Sequence, residues 1–325
     1  MKTSPPSEAD LRGELFDFQV NGFAGVDFQR DDITADGLRH AVQALHACGA
    51  GCFFPTFITD DIDRLCRKLA RFEALCDADA ECRRAIVGYH LEGPWLSPED
   101  GFRGAHPKAP IHAPRLSEFE ILQEAARGHI RLVTLAPEWP GSPEFIAAIT
   151  SRRVNVSLGH TNASGEQIDK AIAAGARFCT HLGNATPALM PRHDNVVQRL
   201  LARDELIACF IPDGMHLPPF TLRNFFRAKP RGKALFTTDA MAGAGAPPGR
   251  YTLGTMEIEV GPDRVARQPG GGGFAGSTLT PADGVRLAAE FLGIPTAEAK
   301  RCWSQASLAA FGVDLPVRSR EAMSS

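Results

Sequence analysis

The chain has 325 residues, with 35 Lys plus Arg against 38 Asp plus Glu and a formal net charge of −3. That balance gives no electrostatic reason to expect nucleic acid or an anionic membrane as partner, and no apolar run approaches the roughly 18–20 residues of a bilayer span. With 44% hydrophobic and 22% charged residues the composition is that of a globular chain able to bury a sizeable core. Its eight cysteines form no CxxC pair and lie in apolar stretches, which reads as reduced, mostly buried thiols. The first fifteen residues carry no apolar signal-peptide core, so the expected location is the cytoplasm.

Short apolar runs alternate with amphipathic stretches along most of the chain. Runs at 14–20, 49–55, 85–92, 129–136, 153–160, 176–181, 205–211 and 233–239 are strand-length and rich in Val, Ile, Phe or Leu. They are too continuously apolar for half-exposed antiparallel strands. Between them, apolar residues recur at helical spacing over 34–48, 60–76, 117–127, 143–151, 164–174, 196–203 and 219–229. Ser164 with Gln167 reads as a capping box, and Gly175 as a stop. Two more helices are predicted over 281–292 and 296–311. Residues 240–280 are irregular, with a hairpin candidate in YTLGTMEIEV and a Gly-rich tip at 270–273. Eight strands, each followed by a helix or long loop, predict a parallel (β/α)8 barrel in one domain over 13–314. Residues 1–12 and 315–325 are expected to be disordered tails.

In such a barrel the reactive groups collect at the C-terminal ends of strands. Here the third strand ends in His90-Leu-Glu92, the fifth in His160, the sixth in His181 and the eighth in Asp239. One carboxylate and two imidazoles suit a three-ligand site for a Zn²⁺-type ion with an open position for water. A further carboxylate at the last strand could then handle protons. His90 shares strand parity with Glu92 and reads as a core or supporting histidine. His40, His46, His112 and His129 read as surface residues. The glycines at 270–273 lack the Lys-Ser/Thr of a phosphate loop and read as a lid or tip.

The motifs FDFQVNGFAGVDF, GYHLEGPWLSPEDGFRGAHP, TLAPE, VSLGHTNAS, THLGNATP, DGMH and TTDAMAGAGAPPGRYTLG together resemble the N-acetylglucosamine-6-phosphate deacetylases of the amidohydrolase superfamily, from about Phe16 to Phe311. The resemblance implies that Glu92, His160 and His181 bind one divalent metal, with Zn²⁺ first and Fe²⁺, Mn²⁺ or Co²⁺ fitting the same set. It implies that Asp239 is the acid/base and that His106 polarises the amide carbonyl. Asn184 and Ala185 match a segment contacting sugar and phosphate. Arg192 and His216 match a phosphate-binding pair, at least one of which can come from a neighbouring subunit of a homodimer. The implied substrate is a small phosphorylated amino sugar, deacetylated in amino-sugar recycling. A related N-acyl amine hydrolase and a catalytically silent metal-binding relative are the alternatives. Where many amidohydrolases carry His-x-His on the first strand, this chain has Gln19-Val-Asn21, so one metal is expected. The family's small β-sandwich, built from both chain ends, is expected to be missing.

Overall fold

The computed structural model describes residues 14–270 and 273–314. The predicted tails at 1–12 and 315–325 lie outside the described residues, as do residues 271–272 of the Gly-rich run.

Eight parallel strands pair in chain order: Leu15–Val20, Ala50–Ile58, Tyr89–Glu92, Ile130–Leu135, Asn155–Leu158, Phe178–Cys179, Ile207–Phe210 and Ala234–Phe236. Val20 bridges in parallel to Ala240, just past the eighth strand, and this closes the sheet into a (β/α)8 barrel. Each predicted run contains a strand, because residues buried on both faces leave a parallel strand few other places to go. The predicted hairpin also forms, Gly249–Leu253 antiparallel to Met256–Val260, and Ala266–Arg267 adds a third strand. Buried Asp27 accepts hydrogen bonds from Thr252 Oγ1 (2.8 Å) and Gly254 N (2.9 Å), clasping this hairpin to the barrel rim.

The barrel interior is layered by strand parity. At its N-terminal end Phe16, Phe18, Phe54, Leu132, Phe178, Ile207 and Leu235 form a cluster separate from the helix–strand shell. Phe311 plugs that end, stacked on Phe178 with ring centroids 4.5 Å apart and edge-on to Phe16 and Phe54. Above lies a polar layer. His90 contacts Thr56 Oγ1 (3.3 Å) and Thr134 Oγ1 (2.8 Å), and Thr134 and Ser157 each meet Thr180. Burial pushes the His90 imidazole down to about 4, so it stays neutral as a core histidine. The site residues form the top layer.

Three expectations need correction. The single helix predicted over 296–311 is two, Thr296–Trp303 and Gln305–Phe311, broken at Ser304, whose hydroxyl turns back to Lys300 O (2.8 Å). The break aims the last helix at the barrel floor and delivers Phe311 there. A short helix, Ala80–Ala85, lies outside every predicted stretch; Asp79 caps it through Glu81 N and Cys82 N. Finally, His46, His112 and His129 are half-buried. His129 meets buried Glu73 Oε1 at 2.9 Å, beside Arg83 and Tyr89.

Phe311→Ala removes the plug without touching the opposite, polar end. We expect a stability loss of about 3–5 kcal/mol, read as a lower denaturant midpoint at unchanged m-value. A loss below about 1 kcal/mol would show that the barrel floor is closed by other groups.

Candidate active site

Several side chains converge at the C-terminal mouth of the barrel, around a cavity of about 450 Å³. Asn21, Glu92, His106, His160, His181, Asn184, Ala185, His216 and Asp239 all line it. Glu92 ends the third strand, while His160, His181 and Asp239 follow the fifth, sixth and eighth. These last three residues and Ala185 adopt left-handed backbone, with φ of 51°, 28°, 51° and 51°. Non-glycine residues held there cost about 1–3 kcal/mol each and persist only where the surroundings enforce them.

Glu92 Oε1 lies 3.1 Å from His160 Nε2 and 3.1 Å from His181 Nε2. His160 Nδ1 faces the Phe102 carbonyl at 3.2 Å. A carbonyl only accepts, so Nδ1 carries the hydrogen and Nε2 points its lone pair at the Glu92 oxygen. Two lone-pair atoms that close call for a proton or a cation between them. His181 Nδ1 is buried without a hydrogen-bond partner among the described residues. Glu92, His106 and His160 also offer ligand atoms within 4.8 Å of one another. A buried set of one carboxylate and imidazoles with this spacing suits a divalent metal. Burial raises the Glu92 carboxyl, but the close His160 and His181 nitrogens outweigh it and hold it well below the usual range.

His106 has a different tautomer. Thr59 N donates to its Nδ1 (3.4 Å), with Thr59 Oγ1 2.8 Å from the same atom. A backbone N–H cannot accept, so the imidazole hydrogen sits on Nε2, which is 4.0 Å from Glu92 Oε2. Burial, then the proximity of His160, pushes His106 down to about 3. His106 is therefore a neutral donor facing the cavity. Its loop passes close to His160: a Cβ on Gly104 would sit 3.0 Å from the His160 ring, where φ is +57°.

Asp239 is pushed up to about 7 by burial and then by the Glu92 charge. Its Oδ1 accepts from Asn21 Nδ2 (2.7 Å) and Gln19 Nε2 (3.1 Å), and the same Gln19 nitrogen lies 3.3 and 3.2 Å from the Glu92 oxygens. At the outer end, His216 Nδ1 lies 2.6 Å from Asp213 Oδ2, and Asp213 Oδ1 also accepts from Met215 N and His216 N. Asn184 donates to the His181 carbonyl (3.1 Å).

Arg192 does not join the others. It is exposed, outside the cavity lining, on the irregular segment between Ala185 and the helix at Val196–Leu201. Residue-type reasoning also missed Thr59, which fixes His106, and Glu138. Glu138 accepts from Thr161 Oγ1 and from Asn162 N (2.9 Å), holding the turn after His160. The TLAPE motif contains Glu138, and that was the available signal.

No family model matches the chain. Among curated proteins it is 35% identical over 254 residues to the N-acetylglucosamine-6-phosphate deacetylase of Bos taurus, covering 76% of this chain and 61% of that protein. It is 35% identical over 285 residues to the N-acetylgalactosamine-6-phosphate deacetylase of Shewanella sp. (strain ANA-3), covering 86% and 68%. The chain thus spans 61% of the length of its bovine and human relatives. A solved N-acetyl-D-glucosamine-6-phosphate deacetylase variant from Mycobacterium smegmatis, in complex with N-acetyl-D-glucosamine 6-phosphate, superposes with a TM-score of 0.84 at 30% identity. That match covers 96% of this chain and 82% of the other. On these similarities, the chain belongs to the N-acetylglucosamine-6-phosphate deacetylase family.

Proposed function

We propose that the protein hydrolyses the acetamide of a 6-phosphorylated amino sugar, N-acetylglucosamine 6-phosphate first, releasing acetate and the free amine in cytoplasmic amino-sugar recycling. The observation that carries this reading is a Glu/His/His cluster, a neutral imidazole donor and a carboxylate raised toward neutrality around one cavity. We assign residues 13–314 to one catalytic barrel.

Glu92 Oε1, His160 Nε2 and His181 Nε2 would hold one divalent ion, with Zn²⁺ favoured by the imidazole–carboxylate set. When bound, such an ion supplies Lewis acidity to the amide carbonyl and lowers the pKa of water. His106 Nε2–H donates to the carbonyl oxygen as it gains negative charge, an interaction stronger in the transition state than in the ground state. Asp239 accepts the proton of the attacking water as the C–O bond forms. It then delivers that proton to the amide nitrogen as the C–N bond breaks, because this nitrogen cannot depart as an anion. Acetate and the amine result, and Asp239 returns to its starting state. Asn184, Ala185 and His216 contact the sugar phosphate from within the cavity. Arg192, exposed in the single chain, serves a phosphate held at the interface of a homodimer.

Three outcomes test this reading. Purified protein should hold one divalent equivalent per chain, and Glu92→Gln should lower that content; two tightly held equivalents would contradict the single site. Asp239→Asn keeps the side chain's shape but removes the proton acceptor, so kcat should fall about 10²–10⁴-fold while substrate still binds. Retention of more than half of kcat would remove Asp239 from the chemistry. Charge-assisted hydrogen bonds to phosphate are worth roughly 1.5–3 kcal/mol each. Arg192→Ala should therefore lower kcat/KM about 10–100-fold for the phosphorylated sugar and little for N-acetylglucosamine. Equal losses on both substrates would favour a hydrolase acting on unphosphorylated N-acyl amines.

A further inference from the structure

Gln19 and Asn21 stand where a histidine pair would help hold a second metal, and their placement shows another use. The first strand slips register between Asp17 and Val20, and Val20 N donates instead to Thr56 Oγ1 at 3.0 Å. Beside the slip, two polar side chains two positions apart both reach the site. Gln19 and Asn21 place their amide nitrogens 3.1 and 2.7 Å from one atom, Asp239 Oδ1.

Carboxylate oxygens accept, so the amides must present N–H. Even a protonated Oδ1 could donate to only one of them, so at least one donates in every protonation state. This orientation has a consequence on the other side of each amide. Gln19 Oε1 and Asn21 Oδ1 are buried with no hydrogen-bond partner among the described residues. Each amide leaves its acceptor unpaired and keeps its donor on the carboxylate, which packing alone does not demand. Asp239 Oδ2, by contrast, makes no hydrogen bond among the described residues, and Asp239 lines the cavity.

We propose that Gln19 and Asn21 are positioning residues that occupy Asp239 Oδ1, fix the carboxylate's rotation and leave Oδ2 as the single oxygen for proton transfer. Gln19 has a second part, because the same N–H group lies between the Glu92 and Asp239 carboxylates and attracts both. The proton path is the one above, stated to the atom. Water loses a proton to Oδ2 as its oxygen bonds the carbonyl carbon, and Oδ2 passes the proton to nitrogen as the C–N bond breaks. The amide donors are unchanged throughout. The proposal rests on Asp239 as the acid/base.

The test is a double-mutant cycle with Asn21→Ala and the near-isosteric Asn21→Asp, each made in wild-type and Asp239→Asn backgrounds. Asn21→Asp leaves no cavity, and so answers the question if Asn21→Ala folds poorly. In the wild-type background kcat should fall about 10–100-fold with KM changed by no more than about twofold. Divalent-ion content should stay at the wild-type value. In the Asp239→Asn background the same substitutions should change kcat by no more than about twofold, because the group they act through is gone. Equal losses in both backgrounds, or loss of bound metal along with activity, would overturn the proposal and leave Asn21 a structural support. If Asp239→Asn alone kept its activity, the proton-transfer role itself would fall, a result separable from the first because it needs no change at Asn21.

Discussion

A single buried carboxylate, Glu92, organises the mouth of the barrel. Two imidazole nitrogens reach its Oε1 from the ends of the fifth and sixth strands, and a Gln19 amide reaches both oxygens from the first. An isolated charge at 2% exposure would be prohibitively costly in a low-dielectric interior, so the partners are a condition of folding as well as of chemistry. Because those partners come from strands far apart in sequence, the barrel must close before the carboxylate is satisfied. The Val20–Ala240 bridge that closes the sheet lies beside Asp239.

The layer beneath is polar as well. It holds hydroxyls and neutral His90, each member bonded to the next. Only below this ring does the interior become aromatic, ending on Phe311. The strand ends keep left-handed backbone at His160, His181 and Asp239. Their carbonyls accept from Ser97 N, Asn184 N and Ser277 N, local bonds that help hold these costly conformations.

Much of this was legible in the sequence. Eight apolar runs predicted eight strands because both faces of a barrel strand are buried, and His or Asp at the end of a run marked the end of the barrel that holds the cavity. What was not legible depended on contacts distant in sequence. The break at Ser304 answers to the barrel floor; no local signal, neither Gly nor Pro, stands there. His129 read as a surface residue because its partner, Glu73, lies 56 positions away. The resemblance pairs Arg192 with His216, yet a position along an irregular segment fixes no direction in space. Glu138 and Thr59 act on backbone or on another side chain, and so carry no mark in their residue type.

The histidines show most directly why residue type falls short of chemistry. His160, His106, His181 and His216 all line one cavity, and what separates them is the atom at Nδ1. A carbonyl at His160 leaves a lone pair on its Nε2, whereas a backbone N–H at His106 turns the same atom into a donor. Asp213 locks the His216 ring at the outer rim, and His181 has no hydrogen-bond partner at Nδ1 among the described residues, leaving the Glu92 contact to fix its ring. Exchanging the Phe102 carbonyl and the Thr59 amide between the two rings would leave every site residue in place. It would nonetheless exchange the lone pair and the donor. The division of labour therefore lies in the loops at 101–106 and after Ile58, whose backbone faces these rings, as much as in the histidines themselves.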